Sequence, residues 1–341
     1  MAKARPKLAE LARATGLSRA AVSYALRGHP GVSRATAERV RRVAEEIGYT
    51  PDLRVSSLMA HIRRSRLPKR QETLAFVWVS TYKGEQHPAY HQHYLRTILS
   101  GARDRAQQQG CSLAEFWLDE PGMSRIRLAS ILRARGITGV VFSPAMHDLA
   151  IHLDWPWQEF SCAIIGNTDW SPVLHRVGHY HYRSMWLTLE RLRQEGYTRP
   201  AAIVSRSIDE RIHGAHVAAF LANHPQPTHA PSLVQRALPD ELTKLKPWSR
   251  RLAPDALIIG WPVDAVSAAR LRRYAPAAER VVTLDWQPRG AVPGMNVCND
   301  AIAASAVDLV VAQLHRNERG VPQHPTSLLL DGTWCEIAGS E

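Results

Sequence analysis

From Thr73 onward, short apolar runs alternate with longer stretches whose apolar residues recur at helical spacing, and few folds accommodate that alternation. A strand buried on both faces reads as an unbroken aliphatic run, and parallel neighbours must be joined by a crossover, usually a helix. The pattern predicts strands at Thr73–Ser80, Cys111–Phe116, Gly139–Phe142 and Cys162–Gly166, with helices over Tyr90–Gln109 and near Ser124–Arg135. A second round follows, with strands at Ala201–Val204, Ala256–Ile259 and Val281–Leu284 and a helix over Arg211–Asn223. Two doubly wound parallel-sheet α/β subdomains are expected. At 341 residues the chain is long enough for more than one core.

The first 70 residues are of another kind. They hold 16 Lys and Arg against 5 Asp and Glu, an excess of 11 in a chain whose total is +12, so the rest is nearly neutral. Such segregation points to a polyanionic partner for the N-terminal segment. Leu8, Leu11 and Ala12 mark a first helix that ends at Gly16. Ser18 can cap a second helix, Arg19–Leu26, whose inward positions are Val22, Ala25 and Leu26. After the turn His29-Pro30-Gly31, Ser33 caps a third helix that buries Ala37, Val40, Val43, Ala44 and Ile47 and closes at Gly48. The result is an all-α helix-turn-helix. Arg19, Ala20, Ser23 and Tyr24 face outward, a set of small and hydrogen-bonding groups able to approach base edges.

The run Leu11-Ala12-Arg13-Ala14-Thr15-Gly16-Leu17-Ser18-Arg19-Ala20-Ala21-Val22-Ser23-Tyr24-Ala25-Leu26-Arg27-Gly28 resembles the helix-turn-helix signature of the LacI (lactose repressor) family of transcription regulators. Val32 to Val40 and Glu45 to Pro51 resemble its continuation. The resemblance implies a lambda-repressor-like DNA-binding domain over residues 1–50, a hinge helix and basic linker over 51–71, and a periplasmic-binding-protein-like domain over 72–341. Within the last, one subdomain is expected to combine roughly 72–175 with 287–310, and the other 176–286 with 311–341. By the same resemblance Arg19, Ala20 and Tyr24 meet the bases of the major groove. Ser18, Ser23, Ser33 and Thr36 grip phosphates, as does Arg27 where the family usually has Asn. Ala20 has no side-chain hydrogen bond to offer, so base choice there rests on apolar contact or on its neighbours.

Asp52–Leu58 can form one short helix after Pro51, too short to persist alone in water. The family's corresponding segment folds on operator DNA and wedges a leucine into the minor groove, a place that Leu58 occupies here. The basic stretch Met59 to Gln71, with Arg63, Arg64, Arg66, Lys69 and Arg70, either extends that helix, adds phosphate contacts or serves as a flexible linker.

In doubly wound sheets, ligands bind beyond the carboxyl ends of the strands. Tyr82, Ser143, Asn167, Asp169, Arg211, Trp261, Asp285 and Trp286 lie at or just past those ends, and such groups beside indole faces suit a sugar or another polar metabolite. The resemblance implies effector contacts for Arg211, in Arg211-Ile212-His213-Gly214-Ala215, and for Asp285, in Leu284-Asp285-Trp286. At Ile259-Gly260-Trp261-Pro262 the chain lacks the family's polar Asn-Asp pair. The expectation is a repressor that binds a pseudo-palindromic operator in double-stranded DNA as a homodimer under control of a sugar-like effector. Gln313 to Gly320, followed by Leu329 to Trp334, resembles the family's closing segment, and no leucine heptads come after it, which favours a dimer over a tetramer held by a coiled coil.

Enzyme motifs are missing: there is no GxSxG elbow, GxGxxG loop, Walker loop or HExxH, and no catalytic residue or cofactor is expected. His87, His91 and His93, and the pair His179 and His181, read as solvent-facing or pocket-lining histidines, not metal ligands. Cys111, Cys162, Cys298 and Cys335 are scattered and read as reduced thiols. With no apolar run of membrane length and no secretory leader, no membrane partner is expected and the cytoplasm is the expected location.

Overall fold

The computed structural model describes residues 8–26, 32–49, 72–79, 89–145, 150–237, 241, 243 and 246–337. Arg27, Leu58, Tyr82 and His87, the hinge segment and the basic linker lie outside them, and the side chains of Leu8, Ala20 and His91 are likewise not described. The chain divides into a small unit up to Gln71, with which Ala312–Arg319 group, and a large unit formed by Glu72–Val311 and Gly320–Glu341.

In the small unit three helices form where the caps and spacing predict: α1 (Leu8–Thr15), α2 (Arg19–Leu26) and α3 (Arg34–Ile47). The Ser18 hydroxyl accepts the Ala21 N–H at 3.1 Å, and the Ser33 hydroxyl accepts that of Thr36 at 3.3 Å. Gly48, at φ 70°, closes α3 with its N–H on the carbonyls of Ala44 and Glu45. Leu11, Val22, Ala25 and Val40 are fully buried and come one or two from each helix. Burial of each of the larger ones stabilises by about 1.5–3 kcal/mol, which is most of what so small a core has. The Arg39 guanidinium ties α3 to the end of α1 by donating to the Thr15 carbonyl at 3.0 Å.

The large unit follows the alternation, in the order β1 (Glu72–Trp78), α4 (Ala89–Gln108), β2 (Cys111–Trp117), α5 (Arg125–Ala134), β3 (Gly139–Phe142), β4 (Ala150–His152), β5 (Ser161–Ile165), β6 (Asp169–Ser171), β7 (His175–His179) and α6 (His181–Gln194). The second half runs β8 (Pro200–Ser205), α7 (Arg206–Arg211), α8 (Ala215–Asn223), α9 (Ala230–Leu233), β9 (Val234–Ala237), α10 (Lys246–Leu252), β10 (Ala256–Ile259), α11 (Ala265–Tyr274), β11 (Arg280–Thr283), β12 (Gly294–Asn296), α12 (Asn299–Arg316), β13 (Ser327–Leu330) and β14 (Thr333–Cys335). The first sheet has the order β13-β7-β5-β3-β1-β2, all parallel. The second has the order β14-β12-β11-β10-β8-β9, parallel except where β14 pairs antiparallel with β12. β4 and β6 form a small separate pair. Strands β3, β5, β8 and β10 are buried along their whole length, as their aliphatic runs require.

Two expectations are corrected. The boundary expected at 175/176 cuts β7, which lies wholly in the first sheet; within 287–310, expected in the first subdomain, β12 belongs to the second sheet, and within 311–341, expected in the second, β13 forms the edge of the first. The chain changes sheets across Asp331-Gly332 and so gives each sheet an edge strand. Sheet membership is settled by partners more than a hundred residues away, such as Val177 beside Leu328, and local spacing does not carry that information. The helix expected over Arg211–Asn223 is also broken: α7 ends at Arg211, and His213 and Gly214 take φ of 54° and 76° before α8 begins. A left-handed pair ends one helix and re-aims the next, so Arg211 sits at a helix end and not on a helix flank.

Candidate functional site

On the small unit, α2 presents Arg19 and Tyr24 to solvent, Tyr24 with 45% of its surface exposed, while Ser23 is half-buried. At the start of α3 the Ser33 and Thr36 hydroxyls lie 2.8 Å apart at the N-terminal turn, where Ser33 also accepts the Thr36 N–H. Such a helix start attracts a phosphate oxygen. Ser18 is engaged in capping α2, which fixes its position at the start of that helix.

In the large unit a cavity of about 360 Å³ opens at the carboxyl ends of the strands of both sheets. It is bounded by the turns after β3, β5, β8, β10 and β11, the end of β7 and the starts of α6 and α12. Four of the expected residues converge there: Asn167, Arg211, Trp261 and Asp285. Asn167 fits against β7 because residue 178 is glycine; a Cβ there would collide with the Asn167 side-chain amide, whose nitrogen donates to the His179 carbonyl at 3.2 Å. Arg211 reaches from the end of α7 to the Ala145 carbonyl after β3, at 3.0 Å, so one guanidinium links the strand ends of the two sheets.

Three expected residues do not line it. The Ser143 hydroxyl is buried and accepts the Val79 N–H at 3.0 Å, which joins β1 to β3. Asp169 points out from β6, where only Trp170 turns inward, and pairs with His213 at 3.4 Å. Trp286 holds its backbone on Met295 and its indole nitrogen is buried without a partner among the described residues.

Residues that the sequence left unassigned to a ligand complete the wall. His179, His181 and His216 meet in a row, with ring centroids 4.8 Å and 4.9 Å apart and His181 Nδ1 3.2 Å from His216 Nε2. His179 Nε2 lies 2.7 Å from the Ser184 hydroxyl. Burial, reinforced by the His216 imidazole, pushes His179 down to about 3, and burial pushes His216 down to about 4 against the pull of Asp209. His181 is held well below the usual imidazole range by burial, by both neighbours and by Arg211. The three are neutral at pH 7, each with one donor and one acceptor nitrogen. Behind His216, the fully buried Asp209 accepts the N–H groups of His216 and Val217 at 3.2 and 3.3 Å and Arg236 Nε at 2.6 Å. It supplies the cap that Gly214, at the start of α8, cannot.

Across the cavity, burial lifts the Asp285 carboxyl to about 6, and the Gln287 amide, 2.8 Å from it, opposes the shift. Burial also raises the Tyr94 phenol, which lies within the field of both Arg211 and Asp285. β7, with Val177 as its one aliphatic, does not read as a buried strand and so gives no local sign of His179, while Tyr94, His181 and His216 reach the cavity from three separate helices, α4, α6 and α8. Among the described residues no group of three or more His, Cys, Asp or Glu could hold a metal ion. No helix among them is long and apolar enough to cross a membrane.

Residues 7–52 match the family model "Bacterial regulatory proteins, lacI family". The chain is similar to the HTH-type transcriptional regulator AscG of Escherichia coli (strain K12), 34% identical over 104 residues, which is 30% of this chain and 26% of that protein. The match thus spans about a quarter of the relative's length. Among solved structures, the complex of the transcriptional regulator CelR with cellobiose aligns with a TM-score of 0.52 at 17% identity, over 97% of this chain and 98% of the other. The lac repressor dimer bound to operator and the anti-inducer ONPF aligns at 0.50 and 17%, over 98% of each chain. A putative ribose operon repressor from Burkholderia thailandensis aligns at 0.54 and 17%, over 78% of this chain and 100% of the other. At these identities the likeness is one of fold: a helix-turn-helix ahead of a two-sheet, periplasmic-binding-protein-like body.

Proposed function

Proceeding from an N-terminal module of the lacI family of bacterial regulatory proteins, we propose that this chain is a transcription regulator that binds operator DNA through α2 under control of a small molecule in the strand-end cavity. The observation that carries this reading is the joining of two parts in one chain. A basic three-helix module with capped, correctly spaced helices is followed by a two-sheet body whose strand ends enclose a ligand-sized space.

Arg19, Ala20 and Tyr24 read bases, and Ser18, Ser23, Arg27, Ser33 and Thr36 hold phosphates and set the register of α2 in the groove. Leu58 opens the minor groove at the centre of a pseudo-palindrome bound by two copies of the chain. Repression is the proposed outcome of binding. The effector, a sugar or related metabolite, contacts Arg211 and Asp285 and competes with the Ala145 carbonyl for the guanidinium. Because Arg211 joins the two halves of the cavity wall, a ligand that takes it over has different affinity for the joined and parted arrangements, which is what a population shift requires. No catalytic role is proposed.

Selection of bound duplexes from a random pool tests the reading. The expected result is one enriched pseudo-palindrome whose affinity falls steeply with salt, by at least about ten-fold between 50 and 200 mM. Equal binding to all duplexes at physiological ionic strength would overturn it.

A further inference from the structure

We infer that His213 and Asp169 form a rung across the mouth of the strand-end cavity, a second tie between the two halves of the large unit that sets the balance on which the effector acts. The consequence for control rests on the regulator reading, whereas the rung itself rests on geometry alone.

Placement is the first ground. Asn167 and Thr168 line the cavity from the turn after β5, in the first half, and Arg211 and Ile212 line it from the end of α7, in the second. The next residue of each segment leaves the lining: Asp169 and His213 meet at 3.4 Å, with 54% and 70% of their side chains exposed. Their contact therefore lies on the solvent side of the bond from Arg211 to the Ala145 carbonyl. α7 and α8, which flank His213, pack on β8 of the second sheet, so a single turn reaches from the second half to the first at two points, two residues apart.

The second ground is that both ends of the rung are held. In the first half the Thr168 hydroxyl donates to the Ala145 carbonyl at 3.3 Å, and Arg176 of β7 donates to the carbonyls of Asn167 and Thr168, each at 3.4 Å, while lying in the field of Asp169. Asp169 thus leaves a fixed loop. In the second half the N–H groups of His213, Gly214 and Ala215 donate to the carbonyls of Glu210, Asp209 and Ile212 at 3.1, 2.7 and 3.2 Å. The Asp209 carboxylate then fixes the start of α8. An exposed ion pair is weak chiefly because two long side chains must give up freedom to meet, and here the backbone on each side is already set.

The third ground is the residue at 213. Its φ of 54° is left-handed backbone, which glycine adopts at no steric cost, as Gly214 does beside it. The backbone gives no reason for an imidazole there, whereas the reach to Asp169 does. The rung stays modest, because more than half of each side chain meets water, and it biases the two halves without locking them. A ligand that draws Arg211 off the Ala145 carbonyl leaves the rung as a remaining tie, and the differential affinity needed to part the halves is larger by what the rung contributes.

Hydrogen exchange of the full chain, read by mass spectrometry on peptides covering residues 165–172 and 208–218, tests the rung with His213→Asn, Asp169→Ala and the double variant. Asparagine tolerates left-handed backbone but is too short to span the contact. The expected result is exchange about three-fold faster in both segments for either single variant, no further increase in the double variant, and a thermal midpoint within a few degrees of the parent. Affinity for the selected duplex should shift by one common factor, roughly two- to five-fold, in all three variants. Faster exchange only in the segment that carries the substitution, or a double variant whose increase is the product of the two single ones, would overturn the rung. Duplex affinity equal to the parent's would overturn its part in control. Duplex selection with the parent chain reads the regulator function separately: sequence preference without coupled exchange overturns the rung alone, and coupled exchange without sequence preference overturns the regulator reading alone.

Discussion

At the scale of single residues, the buried imidazoles set how the large unit responds to acid. An unfolded histidine titrates near 6.5, whereas folding holds His179 at about 3, His216 at about 4 and His181 well below its usual value. Between those limits the unfolded chain binds more protons, so stability is complete above about pH 6.5 and is lost as pH falls. Asp285 acts in the other direction: raised to about 6 from 3.8, it makes the folded state the better proton binder over that interval and removes stability as pH rises through it. Three lowered histidines outweigh one raised carboxyl, so the thermal midpoint of the large unit should drop between pH 7 and pH 5. In His216→Gln the drop should be smaller. A midpoint that holds or rises on acidification would contradict this assignment of protons.

At the scale of elements, the first turn of α3 has two duties. Ser33 stabilises the helix by capping it, and in the proposed complex the same hydroxyl reaches a phosphate. Ser33→Ala should therefore cost about 1 kcal/mol of stability in the small unit and weaken all duplexes about equally, without changing which sequence is preferred. Denaturant melts followed by binding to a preferred and a scrambled duplex separate the two effects. A change of preferred sequence would show that Ser33 contributes to base choice. The break between α7 and α8 is the other element-level device, because it turns Arg211 toward Ala145 and leaves the start of α8 to be capped by Asp209.

At the scale of the whole molecule, the two sheets of the large unit are tied by the last strands of the chain. β13 completes one sheet along β7 and, two residues later, β14 completes the other along β12. Removing residues 327–337 uncovers one edge on each sheet, and an uncovered edge is a template for pairing with other chains. The truncated protein should aggregate on size-exclusion chromatography, where the full chain should run as a discrete dimer; a well-behaved truncated species would mean that the edges need no cover.

The sequence by itself determined the features that are local. The caps Ser18, Ser33 and Gly48 lie within a few residues of the groups they satisfy, so the three helices of the small unit fall where the spacing puts them. The aliphatic strands β3, β5, β8 and β10 were equally legible, since burial on both faces leaves a continuous run. Only the tertiary structure decided the sheet that takes β13, the diversion of Ser143 into a strand-to-strand bond, and the meeting of His181 with His216 across 35 residues of chain. Each of these depends on a partner distant in sequence, and so does a pKa, because desolvation is set by everything that packs around the group and not by its neighbours along the chain.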